Sequence, residues 1–346
     1  MRYRVRWIPA GLAALLLSVL WPASGKADPA PLGVTVGVQS PEDLLQIPGT
    51  PWVVVSAMRS KQTKGRLLLI DSRKPQAFEP LYPAEKAVPG GPPATTFAPH
   101  GLSIRSLGAR HEELLVIDHA GDFVDRFLLR VERDVRPSIE RVTRVALPPA
   151  CSGNSVAAMP DGGFAVTCMS DPKDAAFVEK FVRGEATGAA FRWSTAKGWR
   201  RLSRPMSAAN GIAVSNDGKT VFVSEWAARK LWRIPLDSGE PVFVPTPFLP
   251  DNLRWTDAGK LLVVGQTSDP RSLFSCQEKK LPCPMGYVVA EVDPASLSLD
   301  ALLTGTDETY AASGFGSGTG AIQVGDALWI GTFFGDSVAR FPMPKR

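Results

Sequence analysis

Residues 210–223 read Asn210-Gly-Ile-Ala-Val-Ser-Asn-Asp-Gly-Lys-Thr-Val-Phe-Val, which is two apolar runs separated by a tight polar turn. Related stretches occur six times, and each begins with a small or polar residue. Their first residues are Glu42, His100, Asn154, Asn210, Asp251 and Thr319. Repeated hairpins with a period of roughly 40 to 70 residues are typical of blades arranged around an axis. The sequence therefore predicts an all-β protein, a six-bladed β-propeller with a central channel.

Short apolar runs between turn residues predict the strands of these blades. They are rich in Val, Ile and aromatic residues, and they comprise Trp52–Ser56, Arg66–Asp71, Leu114–Asp118, Phe164–Thr167, Thr220–Ser224, Leu261–Gly265, Tyr287–Val292 and Ala327–Thr332. Two stretches interrupt the repeat, Arg73–Pro99 and Asp269–Met285, and we expect insertions there rather than blade strands. The 31 Gly and 31 Pro are spread along the chain as turn residues, and no long helical period follows the N-terminus.

The N-terminus has the order of a secretory signal peptide. Three arginines within the first six residues precede an apolar run from Trp7 to Leu20, and Ala23-Ser-Gly follows. The apolar run is short for a membrane span, although an uncleaved N-terminal anchor is the alternative. We expect residues 1–27 to be removed and residues 28–346 to form a single propeller domain in the periplasm or outside the cell. No later segment is a candidate span.

The net charge excludes a nucleic-acid partner. The whole chain has a formal net charge of +5, but the predicted signal peptide carries four of the basic residues and no acidic one. The remaining chain would have a net charge of about +1, which leaves no basic surface for phosphates.

The four cysteines predict two disulfides in an exported protein. Cys151 and Cys168 flank the hairpin that turns at Pro160-Asp-Gly-Gly, and Cys276 and Cys283 close a short loop. This spacing favours the pairs Cys151–Cys168 and Cys276–Cys283, although four cysteines permit three connectivities. Neither pair has the Cys-x-x-Cys spacing of a zinc site.

The repeat places the six first residues at one end of the channel. The turns at Asn216-Asp-Gly-Lys and Asp257-Ala-Gly-Lys are as far apart as Asn210 and Asp251, and Asn154 aligns in the same way. Glu42, Asn154, Asn210, Asp251 and the adjacent Asn252 then form a set of oxygen ligands, which suits Ca²⁺ better than zinc or copper. The alternative is that each Asn or Asp simply forms a turn.

Histidine is scarce, and two of the three histidines open or close runs at this end of the channel. His100 begins the second repeat, and His119 ends the run Leu114-Leu-Val-Ile-Asp-His. A histidine here can take a proton from water, and a second can orient or relay it, with an unperturbed pKa of about 6.5. A packed structural role for His119 is the alternative.

Several motifs occur in one order from residue 41 almost to the C-terminus. They are Pro41-Glu-Asp-Leu, Ala98-Pro-His-Gly-Leu-Ser, Leu114-Leu-Val-Ile-Asp-His, Gly153-Asn, Asn210-Gly-Ile-Ala-Val-Ser-Asn-Asp-Gly-Lys, Pro250-Asp-Asn-Leu and Leu328-Trp-Ile-Gly-Thr-Phe-Phe. In this order they resemble the paraoxonase/arylesterase family, within the wider gluconolactonase and strictosidine-synthase-like propeller superfamily.

The resemblance implies a catalytic calcium in the channel and a histidine pair beside it. The family's calcium ligands and histidines carry over to Glu42, Asn154, Asn210, Asp251 and Asn252 and to His100 and His119. A second, structural calcium would use Asp43 and the carbonyl oxygen of Leu102. The family has an aspartate where this chain has Ser155, so a negative charge is missing from that second site.

The sequence thus predicts a monomeric, calcium-dependent hydrolase of small lactones or aryl esters. Calcium would polarise the carbonyl, and the histidine pair would activate water. One alternative is a sugar-lactone hydrolase of the gluconolactonase type, which needs polar pocket walls, whereas nearby aromatic residues favour an apolar substrate: Phe97, Trp226, Phe315, Phe333 and Phe334. The other alternative is a non-enzymatic binding propeller that calcium stabilises.

Overall fold

The chain folds into six four-stranded antiparallel sheets that form a six-bladed β-propeller, as the repeat predicts. The computed structural model describes residues 30–58, 64–83, 97–108, 110–277, 283–306 and 313–344. The predicted signal peptide, residues 1–27, lies outside these described residues. Among the described helices, none has the length and apolar character needed to cross a membrane.

Five blades are each made of four consecutive strands. The first blade contains β2 (Pro41–Gln46), β3 (Trp52–Ala57), β4 (Arg66–Asp71) and β5 (Glu79–Tyr82); the second contains β6 (Pro99–Gly108), β7 (His111–Asp118), β8 (Phe123–Glu132) and β9 (Val135–Ala146). The third contains β10 (Ser152–Ala158), β11 (Phe164–Ser170), β12 (Ala189–Ser194) and β13 (Gly198–Arg201). The fourth contains β14 (Ala209–Val214), β15 (Thr220–Glu225), β16 (Lys230–Pro235) and β17 (Val242–Pro245); the fifth contains β18 (Leu249–Trp255), β19 (Leu261–Gln266), β20 (Tyr287–Val292) and β21 (Leu299–Gly305).

The sixth blade joins the two ends of the described chain. It contains β22 (Gly318–Val324), β23 (Ala327–Thr332) and β24 (Ser337–Pro342), and the N-terminal strand β1 (Gly33–Val36) pairs with β24 as its outermost strand. Val34 lies opposite Ala339 in this antiparallel pair. The pairing closes the ring of blades with main-chain hydrogen bonds.

Two short helices with bounds within the described residues lie outside the blades. Helix α1 (Phe177–Val182) connects β11 to β12, and helix α2 (Pro270–Gln277) connects β19 to β20. Helix α2 falls in the stretch Asp269–Met285, which was predicted to be an insertion. The prediction for Arg73–Pro99 was wrong in part, because β5 (Glu79–Tyr82) within it pairs with β4 as the outer strand of a blade.

Each pair of neighbouring blades encloses its own apolar core. Between the first and second blades, Leu45 and Val54 pack with Leu102, Leu114 and Phe127. Five similar clusters fill the other interfaces around the ring. The inner strands therefore bury both faces, which explains why their sequences are short continuous apolar runs rather than strict alternations.

The hairpin turns explain the repeated Asp-Gly and Ala-Gly signals. Gly162, Gly218 and Gly259 have φ angles of +87°, +69° and +72°, in the left-handed region that favours glycine. In the turn of the fourth blade, the Asp217 carboxylate accepts a hydrogen bond from the Lys219 N–H at 3.0 Å. The alignment of the repeats by their turns therefore agrees with the hairpins that the blades contain.

Both predicted disulfides are present. Cys151, just before β10, is bonded to Cys168 in β11 with a Cα–Cα distance of 4.9 Å. Cys276 in α2 is bonded to Cys283 with a Cα–Cα distance of 6.1 Å. No cysteine is free.

Candidate functional site

All six inner strands break their regular pairing where the first residue of each repeat lies. The register shifts fall between Pro41 and Asp43, Pro99 and Leu102, Gly153 and Val156, Ala209 and Ile212, Pro250 and Leu253, and Gly318 and Gly320. A β-bulge releases residues from the ladder and redirects their side chains. Here the six bulges turn Glu42, His100, Asn154, Asn210, Asp251 and Thr319 toward one cavity of about 410 Å³, which all six line.

Glycines next to the ring allow the inner strands to converge. A Cβ atom on Gly101 would lie 2.5 Å from the backbone oxygen of Asn154, and one on Gly211 would lie 2.2 Å from that of Asp251. Such distances are shorter than real Cβ contacts. Glycine is therefore required directly after His100 and Asn210, because the neighbouring backbone lies too close for a Cβ atom.

Five of the ring's buried oxygen atoms have no hydrogen-bond partner among the described residues. Each belongs to one of the five predicted calcium ligands; they are Glu42 Oε2, Asn154 Oδ1, Asn210 Oδ1, Asp251 Oδ1 and Asn252 Oδ1. The five side chains are at most 5% exposed. Buried polar atoms are normally satisfied, so a group of five without partners needs an explanation.

The other polar atoms of these side chains are engaged and fix their orientation. Asn252 Nδ2 donates to Glu42 Oε1 at 2.7 Å, and Gln266 Nε2 donates to Asp251 Oδ2 at 2.8 Å. Asn154 Nδ2 points to the Met169 sulfur at 3.8 Å. The amide nitrogens of Asn154 and Asn252 and one oxygen of each carboxylate are thus held by the protein, and one oxygen of each of the five side chains has no partner in the described part of the chain.

Burial makes the two ring carboxylates difficult to ionise on their own. The pKa of Glu42 is raised well above its ordinary value, first by burial and then by the negative charges of Asp43 and Asp251. Burial raises the pKa of Asp251 to about 7, while hydrogen bonds from Gln266 and Asn210 act in the opposite direction. A positive charge in the cavity would stabilise both ionised forms.

The donor set fits a calcium ion. Two carboxylates and three amides contribute only oxygen atoms, which are the ligands that Ca²⁺ prefers. In the described part of the chain, no group of three or more His, Cys, Asp or Glu side chains is placed to hold a metal. A site here therefore depends on the amide oxygens of Asn154, Asn210 and Asn252.

The two predicted histidines form a hydrogen-bonded pair at the edge of the ring. His119 Nε2 lies 3.0 Å from His100 Nδ1, and His100 Nε2 lies 3.5 Å from Glu42 Oε1. Burial, with a smaller contribution from His119, lowers the pKa of His100 well below its ordinary value, and burial lowers that of His119 to about 4. Both imidazoles are therefore neutral at neutral pH, and the shared proton can reside on either ring.

Thr319, which the repeat predicted at the ring, and Gln266, which the sequence analysis missed, complete the ring. Thr319 Oγ1 donates to the carbonyl oxygen of Glu42 at 2.7 Å, so it joins the sixth blade to the first. Gln266 at the end of β19 donates to Asp251 and to the carbonyl of Gly318, and it accepts a hydrogen bond from the Trp226 indole at 2.9 Å. The sequence signal that could have identified Gln266 is that a polar residue directly follows the apolar run Leu261–Gly265.

Aromatic and aliphatic side chains form one wall of the cavity. Phe177 from α1 packs against Phe274 from α2 with ring centroids 5.5 Å apart, and Phe274 packs against Trp226 at 6.2 Å. The cavity is also lined by Met58, Met169, Leu273, Phe333 and Phe334. Of the aromatic residues predicted near the pocket, Phe97 and Phe315 instead lie in apolar cores between blades.

Asp43 and Leu102 are in contact beside the ring. Asp43 directly follows Glu42 in β2, and Leu102 lies two residues after His100 in β6. Asp43 is fully buried, and its Oδ2 accepts hydrogen bonds from the Leu102 N–H and the Arg254 guanidinium. Arg254 also donates to the Leu102 carbonyl. Ser155 is buried, and its hydroxyl has no partner among the described residues.

The sequence of the middle of the chain matches a known family model. Residues 124–252 match the SMP-30/Gluconolactonase/LRE-like region. This range runs from β8 of the second blade to β18 of the fifth and includes the ring residues Asn154, Asn210, Asp251 and Asn252. No curated protein matches the chain at a significant level.

Solved structures with the same fold come from proteins of low sequence identity. A gluconolactonase from Xanthomonas campestris superposes with a TM-score of 0.57 at 16% identity, over 92% of this chain and 96% of the other. A luciferin-regenerating enzyme gives 0.56 at 15% identity over 90% and 92%. The calcium-binding protein regucalcin from Agrobacterium tumefaciens gives 0.54 at 12% identity over 92% and 96%. These similarities establish the propeller fold.

Proposed function

We propose that the protein is a calcium-dependent hydrolase of lactones or aryl esters. The five unpartnered oxygen atoms of the ring support this function most strongly, because they are buried, lie beside a neutral histidine pair and are the ligand type that calcium prefers. When bound, the ion supplies a Lewis acid for the carbonyl oxygen of the substrate.

The ring residues hold and orient the ion, and their own partners keep them in place. Asn252 is tied to Glu42 and Gln266 is tied to Asp251 through hydrogen bonds. Such outer contacts fix ligand orientation in metal sites.

The histidine pair provides the base. With its Nδ1 proton donated to His119 Nε2, His100 presents the lone pair of Nε2 on the side of the ring, where it can take a proton from water. His119 receives or returns the shared proton, so the charge that forms on His100 is spread over two rings.

The apolar wall indicates the kind of acyl or leaving group. Most of the cavity surface is apolar, and Phe177, Phe274, Trp226 and Phe334 contribute to it. Ser170, Asp171 and Asp174 also line the cavity, and the Trp226 indole already donates to Gln266. The proposed substrate is therefore an apolar lactone or aryl ester rather than a sugar lactone. The name of the Xanthomonas campestris relative supports lactone hydrolysis in general.

We further propose export to the periplasm or the medium. The two disulfides support this location, because such bonds persist in oxidising compartments. Free thiols in protein isolated from the periplasm would argue against it.

A panel of γ- and δ-lactones and phenyl esters tests the function. The mature protein is assayed with calcium, after chelation and after calcium is restored. We expect hydrolysis that chelation abolishes and calcium restores. Binding of calcium without hydrolysis of any substrate on the panel would favour the binding-propeller alternative instead.

A further inference from the structure

Arg254 is a half-buried basic side chain that contacts groups next to the ring from two other blades. It belongs to β18 in the fifth blade, and its side chain is 15% exposed. Its Nη2 donates to Asp43 Oδ2 at 2.5 Å and to the Leu102 carbonyl at 2.7 Å. Its Nε donates to the Leu44 carbonyl at 3.2 Å. One guanidinium thus joins the fifth blade to the first and the second.

The oxygen atoms around this guanidinium are satisfied, unlike those of the ring. Asp43 Oδ1 accepts from the Leu44 N–H at 2.8 Å, and Oδ2 accepts from the Leu102 N–H at 2.8 Å as well as from Arg254. The residues that the family resemblance assigns to a second calcium, Asp43 and Leu102, therefore have their acceptors occupied. They do not fit a second metal ion in this chain.

We propose that the Arg254 guanidinium is a built-in cation that replaces a second metal ion and positions the calcium ring. Asp43 directly follows Glu42, and Asn252 lies two residues before Arg254, so the bond between Arg254 and Asp43 fixes the two strands whose side chains meet in the Asn252–Glu42 hydrogen bond. The planar fork of arginine suits several acceptors at once, which a compact ammonium does not. The role of Arg254 in positioning the ring rests on the proposed calcium site, whereas its role in joining the blades does not.

Arg105 is a matched control. Its side chain is 14% exposed, it pairs with the buried carboxylate of Glu113, and it donates to the carbonyls of Met159 and Gly163 at 2.8 and 3.0 Å. It links the second and third blades, and none of its hydrogen bonds in the described part of the chain reaches a residue of the ring. Loss of Arg105 therefore reports the cost of losing an ion pair and carbonyl hydrogen bonds between two blades, away from the ring.

The first experiment needs no variant. Isothermal titration calorimetry of the calcium-free mature protein counts the calcium ions that it binds. We expect one ion per chain. Two ions per chain in the wild-type protein would overturn the proposal, because Arg254 would then not replace the second cation.

The second experiment compares Arg254→Ala, Arg254→Lys and Arg105→Met. We expect Arg254→Ala to weaken calcium binding at the ring by about 10- to 100-fold, as loss of outer positioning contacts does, and to gain a second, weaker calcium site at Asp43. Arg254→Lys should weaken ring binding less, and Arg105→Met should leave it unchanged. A folded Arg254→Ala protein with one site of wild-type affinity would refute the proposal.

Thermal unfolding in the presence of a chelator separates this proposal from the proposed function. We expect the midpoint of Arg254→Lys to fall below that of wild type even when no calcium is bound. If Arg254→Ala does not fold, Arg254→Lys decides: wild-type ring affinity and an unchanged midpoint would reject the positioning role. A wild-type protein that binds no calcium would reject the proposed function, while the midpoints still test whether Arg254 joins the blades.

Discussion

Two groups of buried oxygen atoms lie side by side on the inner strands, and they are satisfied differently. At the ring, Glu42 and Asp251 each keep one oxygen without a partner among the described residues. At the next position, both oxygens of Asp43 are occupied, and the positive charge comes from Arg254. Both groups place carboxylates where water is excluded, which is unfavourable without a positive charge.

This difference corresponds to different roles for the two groups of oxygen atoms. Four of the five N–H groups of the Arg254 guanidinium donate to protein oxygen atoms, and three of these bonds reach the first and second blades, so Arg254 serves to hold blades together. The ring opens on the cavity and lies beside His100, so the proposed calcium ion would be accessible to a substrate there. The chain therefore supplies a permanent cation at one place and unpartnered oxygen atoms at the other.

The largest expected effect comes from removing a ring carboxylate. Asp251→Ala should abolish calcium binding and lower kcat/KM by about 10³-fold or more, because the oxyanion loses its electrostatic stabilisation. Calcium titration and lactone hydrolysis measure both. Asp257→Ala, which changes an exposed aspartate on the hairpin of the same blade, should leave both unchanged. Wild-type turnover in Asp251→Ala would show that the ring is not the site.

The histidine pair should affect catalysis without affecting the metal. His100→Gln should lower kcat by about 10²-fold, the usual size for loss of a positioned base, with calcium still bound. His119→Gln should have a smaller effect, because His119 reaches the ring through His100. His111→Gln should have none. Full activity in His100→Gln would assign the base to another group.

Loss of Gln266 should have an intermediate effect on calcium binding. It orients Asp251 from outside the ligand set, so Gln266→Leu should weaken calcium binding by about 10- to 100-fold. Gln323→Leu is the matched control, because Gln323 on β22 donates only to the nearby Gly325 carbonyl at 3.1 Å. Equal calcium affinity in the two variants would remove Gln266 from the positioning residues.

The fold could be predicted because its signals are local and repeated. In each blade, the turn between the two innermost strands carries a glycine at a positive φ, as at Gly162 and Gly218. The apolar runs β4, β20 and β23 have the predicted bounds, whereas β7 begins three residues earlier, at His111. Helix α1 was missed because six residues are too few to establish a helical period.

The ring could be predicted because the repeat places its residues in one register, but their supporting contacts could not. Gln266 comes from a second strand, and Arg254 contacts residues about 150 and 210 positions away in sequence. Such contacts depend on the closed arrangement of blades rather than on local pattern. The helices α1 and α2 also bring Phe177 and Phe274 to the cavity, which no spacing in the sequence indicates.

The smallest expected change is in the dependence of activity on pH. The sequence led us to expect a histidine with a pKa near the unperturbed value of about 6.5. In the structure, burial lowers the pKa of His119 to about 4 and lowers that of His100 well below its ordinary value. The neutral imidazole is the active base, so activity should be lost only when the pH falls through these lowered values.

With calcium at saturation, kcat/KM should therefore be nearly constant between pH 8 and pH 6 and should fall toward pH 4. A base with a pKa of about 6.5 would instead lose about fourfold between pH 8 and pH 6. The contribution of the histidines to stability has the same sign, because the unfolded histidines take up protons below about pH 6.5 while the folded pair does not, so this contribution is lost as the pH drops from 6.5 toward 4. In the calcium-free protein, the raised pKa values of Glu42 and Asp251 act in the opposite direction. A pH–rate profile with its midpoint at 6.5 in the wild type would show that the base is not this buried pair.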